Sequence, residues 1–183
     1  ITVIAGENNT GKSTVGKALF SFFNSFYNVK NKIANERKQA LVQIIDTIIK
    51  NFPGGDMHTL ECYDIAEDII NSTPSEPSRR NIERIITNFA DDVGIKTTSF
   101  DGVINRIIEV LKISDDQILK KIVTKQIESE FSGQISNIYT EMPGSAELTI
   151  KGEKASFDVK DDTITDFRGN FDLNTEVVYI DNP

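Results

Sequence analysis

ITVIAGENNTGKST, residues 1–14, decides how the rest of the chain is read. An apolar run over residues 1–5 stops at Gly6, polar residues follow, and Gly11, Lys12, Ser13 and Thr14 arrive together. Residues 6–13 fit G-x-x-x-x-G-K-[ST] at every position, between a strand-like run and a helical pattern. That is the context the motif needs. A phosphate chain is held by several backbone N–H groups converging in one concavity, and glycines permit that turn and the close approach. The helix that follows adds its positive N-terminal end. In such a loop Lys12 sets a mobile cation between the β- and γ-phosphates, and the Ser13 hydroxyl ligates Mg²⁺. Gly6, Glu7, Asn8, Asn9, Thr10, Gly11, Lys12, Ser13 and Thr14 are the expected nucleotide-binding residues, with Ser13 the metal ligand. The competing reading is a Gly/Asn-rich turn before a helix that binds nothing.

Composition bounds the class. The 183 residues suit one domain, or one domain with a sizeable insertion. There are 28 acidic against 20 basic residues, a net charge of −8. That balance disfavours a freely basic nucleic-acid module, whose affinity comes mainly from phosphate neutralisation, though a local patch is compatible with it. The single cysteine, Cys62, forms no internal disulfide, and no apolar run approaches the roughly 20 residues of a membrane-spanning helix. A soluble, cytoplasmic protein is expected. Residues 1–5 read as a buried parallel strand with nothing upstream, and TEVVYIDNP closes the chain on another apolar run. Both ends read as cut through a fold, so the chain is expected to be an N-terminal fragment.

The variable positions narrow the family. GENNTGKST resembles the loop G-x-N-x-[SA]-G-K-[ST] of the ABC-type ATPase heads in the structural-maintenance-of-chromosomes (SMC), RecF and overcoming-lysogenization-defect (OLD) group. The pair Asn8-Asn9 is most similar to the OLD-type and related bacterial AAA-family ATPases, with Thr10 a conservative departure from Ser. The resemblance is close over about the first 25 residues and architectural elsewhere. It implies an α/β P-loop NTPase head that binds ATP and Mg²⁺ and pairs with a second head. That pairing would be coupled to DNA metabolism, an effector protein or anti-phage defence.

After the loop, Val15, Leu19, Phe22, Phe23 and Phe26 recur at helical spacing and predict a core face. A base-stacking platform would need interleaved cations, and only Lys17 is present. Apolar spacing then predicts helices around residues 41–49, 65–70, 82–89 and 103–111. Ser114 to Gln117 reads as a capping box opening a helix through Ile118, Ile122, Ile127 and Ile138. Without sustained heptads this is a packed helical insertion and not a coiled-coil arm. From residue 146 the period changes to two: Ala146, Leu148 and Ile150, then Ala155, Phe157 and Val159 across KGEK, with TITDF a third strand. The expected organisation is residues 1–28 as strand, loop and helix of the core, 29–140 as helical insertion, and 141–183 as antiparallel strands returning to the core.

VVYIDNP, residues 177–183, reads as the Q-loop region, with Asp181 and Asn182 where glutamine is usual. Alternatively it is a degenerate Walker B strand, and FSGQ, residues 131–134, a remnant of the ABC signature. The preferred reading puts the signature, Walker B and the catalytic carboxylate beyond Pro183. The full protein is then an ATP hydrolase and this chain alone is inactive. Other candidates are weaker. His58 follows a Gly-Gly turn, and Cys62 has no Cys/His partner for a metal site. Lys30, Lys32, Arg37 and Lys38 read as a solvated helix face, or else a DNA contact. Asp91/Asp92, Asp115/Asp116 and Asp161/Asp162 read as helix-end and turn residues. A GTPase needs N-K-x-D, which NKIA lacks; its D-x-x-G match at residues 91–94 has no preceding strand. A small-molecule kinase needs an Arg-rich lid, and Arg79-Arg80 is the lone adjacent pair. A nucleotide-gated scaffold that does not hydrolyse ATP is the third class.

Overall fold

The computed structural model describes residues 12–50, 59–73, 76–95, 99–136, 143–169 and 171–174. They form six helices and a three-stranded antiparallel sheet, a mixed α and β composition. The parallel strands expected at residues 1–5 and 177–180 lie outside the described residues. The chain divides into two compact units, Ile1–Lys32 with Asp115–Pro183, and Ile33–Ser114.

The unit Ile33–Ser114 is helical. It contains most of α2 (Val29–Lys50), with α3 (Thr59–Ser72), α4 (Arg79–Asp92) and α5 (Asp101–Lys112). Each helix contributes an apolar stripe to one core: Leu41, Ile45 and Ile48 from α2, Ile69 from α3, Ile82 and Ile86 from α4, Ile104 and Ile107 from α5. Spacings of three and four put those residues on one side of each helix. The α4 stripe, Ile82, Ile86, Phe89 and Ala90, follows that rule throughout. The helix stops because Gly94 takes φ +73°, after which Ile95 N donates to the Ala90 carbonyl at 2.7 Å and its side chain turns back into the core. Residues 91–94 are therefore a helix end and not a nucleotide-sensing D-x-x-G loop.

In the other unit, α1 (Lys12–Phe26) packs against α6 (Asp115–Glu130) and against the edge of the sheet. The sheet runs β1 (Gly144–Ile150), β2 (Glu153–Lys160), β3 (Thr163–Arg168) as a meander. Its two turns each place a pair of residues at positive φ, Lys151-Gly152 and Asp161-Asp162. That backbone twist matches the twist of the strands it joins. Ala155, Phe157, Val159 and Ile164 are buried, and Phe157 meets Phe22 with ring centroids 5.1 Å apart. Phe26 stacks on Phe171 at 4.3 Å and on Phe167 at 6.1 Å. Phe22 and Phe26 of the α1 aromatic cluster are thus core, and Phe20 and Phe23 are half-buried. Val15 departs from the expected core face, being 46% exposed. It lies two turns N-terminal of Phe22, where the sheet phenylalanines begin.

The sixth helix ends at Glu130, short of the predicted Ile138, which lies outside the described residues. Ser132 and Gly133 take positive φ, and Gly133 N donates back to the Glu128 carbonyl at 2.8 Å. Beyond the stop, the Asp162 carboxylate accepts from Ile135 N at 2.8 Å and Ser136 N at 2.6 Å. The Ser136 hydroxyl accepts from Asp162 N at 2.8 Å. Among the described residues no helix is long and apolar enough to cross a membrane.

Candidate nucleotide-binding site

Helix α1 is described from Lys12 to Phe26. Ser13 and Thr14 are exposed in its first turn. Gly6, Glu7, Asn8, Asn9, Thr10 and Gly11 lie outside the described residues, as does the side chain of Lys12. No acidic residue stands in the first turn of α1, nor of α2 or α4, whereas α6 opens with Asp115 and Asp116 and α5 with Asp101. Carboxylates in a first turn neutralise the partial positive charge of a helix N-terminus.

The opposite end of α1 is tied down by contacts distant in sequence. Tyr27 forms a parallel bridge with Leu173; Leu173 N donates to the Phe26 carbonyl at 2.8 Å, and Asn28 N donates to the Leu173 carbonyl at 3.0 Å. Asn28 takes φ +52°, turning the chain out of α1 and into α2. The Asp172 carboxylate accepts from Val29 N at 2.9 Å, capping the N-terminus of α2 from across the fold. Lys32 donates from Nζ to the Asn24 carbonyl, a cation on the C-terminal turn of α1, where the helix dipole favours it. Burial there holds its ammonium below the ordinary lysine range. Asp172 was not predicted as a site-positioning residue. Its partner is 143 positions away, and no local spacing signals such a cap.

The remaining sequence candidates separate. FSGQ is the C-terminal stop of α6. Carbonyls, not N–H groups, dominate such an end, which is the wrong polarity for phosphate. VVYIDNP, with Asp181 and Asn182, and His58 lie outside the described residues. Cys62 is buried in α3; burial first, then Asp46 and Glu61, push its thiol upward, so it stays protonated as a small core residue. No group of three or more His, Cys, Asp or Glu side chains able to hold a metal occurs among the described residues. Within the basic run Lys30 is exposed, Lys38 pairs with Glu67 at 2.6 Å at the surface, Arg37 donates to the Ile113 carbonyl at 2.8 Å, and Lys32 is engaged as above. No family model, curated protein or solved structure matches the chain.

Proposed function

We propose that this chain is the nucleotide-binding lobe of a P-loop ATPase head of the SMC/RecF/OLD kind, pairing with a second head when ATP and Mg²⁺ are bound. The observation that carries the reading is the complete motif at residues 6–13, followed in the chain by helix α1 (Lys12–Phe26). The loop amides and Lys12 hold the phosphates, Ser13 orients the metal, and the α1 dipole favours the bound negative charge. Mg²⁺ supplies charge neutralisation at the β- and γ-phosphates. No described carboxylate is assigned to activating the attacking water. Coupling to DNA metabolism, an effector protein or anti-phage defence rests on the resemblance of the loop.

A titration of a fluorescent ATP analogue into the chain, with Mg²⁺ and with a chelator, tests the site. Binding is expected to tighten with Mg²⁺, and Ser13→Ala to remove about tenfold or more of that Mg²⁺-dependent gain. Equal binding with and without the metal, in both proteins, contradicts the role given to Ser13.

A further inference from the structure

The helical unit Ile33–Ser114 carries a groove between α3 and α4 whose volume is about 760 Å³. Buried Ile65 and Phe89 form its floor, with half-buried Ile85. Glu61, Asp64 and Asp68 line one wall at spacings of three and four, so they share one face of α3. That helix contains no lysine or arginine. Like charges so spaced repel one another along the helix. Asp92 joins them from the last turn of α4, which holds no base, so it opposes the dipole of its own helix. Arg84 is the cation among the lining residues, and among the described residues it forms no ion pair with Asp64, Asp68 or Asp92. Among the described residues the three carboxylates Asp64, Asp68 and Asp92, flanking an apolar floor, form no ion pair.

We propose that this groove is the docking site of a basic amphipathic helix from a partner protein. Several features select that occupant. The carboxylates spread along the walls and do not converge, and no metal-holding group of side chains exists among the described residues, so the complementary charge is extended. An apolar floor between two helices accepts the apolar face of a third, with anchors at i, i+3, i+4 and i+7. Lysines or arginines flanking those anchors then meet Asp64, Asp68 and Asp92. Nucleic acids and anionic lipids are repelled by the same charges. The proposal does not rest on the nucleotide site.

The test uses the whole chain and two labelled peptides on the order of 14 residues, followed by fluorescence anisotropy. One is a Leu/Lys peptide with leucines at helical spacing, and the other has the same composition scrambled. The amphipathic peptide is expected to bind at least about tenfold more tightly than the scrambled one. The double variant Asp64→Asn/Asp68→Asn should lose about tenfold of that affinity. Glu128→Gln/Glu153→Gln, removing two exposed carboxylates outside the groove, should leave it unchanged. Binding of neither peptide, equal binding of both, or an undiminished affinity in the groove variant overturns the proposal. These isosteric exchanges touch exposed side chains and leave the core intact.

Discussion

Gly169 follows β3 at φ +131°, and a Cβ there would stand 2.8 Å from both Cα and Cβ of Ala155. Ala155 is fully buried in the middle strand, so neither side of the contact can give. Gly169→Ala therefore combines backbone strain with overpacking, and about 2–4 kcal/mol of destabilisation is expected in denaturant unfolding followed by circular dichroism. A loss below about 0.5 kcal/mol contradicts this account of the strand end. Positive φ alone costs less where a side chain compensates. Asp162 sits at φ +56°, yet its carboxylate accepts from two backbone N–H groups beyond α6. Hydrogen bonds to a charged group contribute about 1.5–3 kcal/mol where shielded and less where exposed, as here, and a left-handed L-residue costs about 1–2. The two are of similar size, which is why an aspartate is tolerated in that turn.

Between elements, the exposed pair Lys38–Glu67 links α2 to α3. The hydrogen bond from Lys38, and then its charge, hold the Glu67 carboxyl below its ordinary 4.5. A carboxyl so lowered binds its proton less readily folded than unfolded, so its contribution is present above pH 4.5 and is lost as pH falls through the folded value. Glu67→Gln should flatten the fall of stability with pH below that point; an unchanged acid slope would show that the pair contributes nothing. The helices themselves were legible because an apolar stripe is a local pattern, and Ile82, Ile86 and Phe89 announce α4 without reference to any other segment. The three strands of the described sheet were legible for the same reason, the period changing to two at residue 146. Less legible was where elements end. Ile138 continued the apparent period of α6, but Ser132 and Gly133 at positive φ break it first. The candidate site divides similarly. The phosphate-loop motif is contiguous and could be read letter by letter. The Asp172 cap on α2 and the Leu173 bridge behind α1 depend on contacts across the chain, as do the partners of Lys32, Arg37 and Lys38 on other segments.

For the whole molecule, the division into two units means that two apolar cores are built from different segments: isoleucines of α2 to α5 in one, and phenylalanines of α1 and the sheet in the other. Scanning calorimetry is expected to resolve two transitions. Ile86→Ala, at a fully buried position, should cost about 2–5 kcal/mol and lower one transition by about 10 °C or more while leaving the other in place. A common shift of both would show that the units unfold as one. The central claim is that residues 6–13 bind a nucleoside triphosphate, and calorimetric titration of ATP with Mg²⁺ into the chain and its Lys12→Ala variant tests it most directly. The account predicts saturable binding by the parent chain and a loss of about 100-fold or more in the variant, since in the proposed site Lys12 would supply the mobile cation on the β- and γ-phosphates. Unchanged affinity in Lys12→Ala, or no heat of binding in the parent chain, would contradict it.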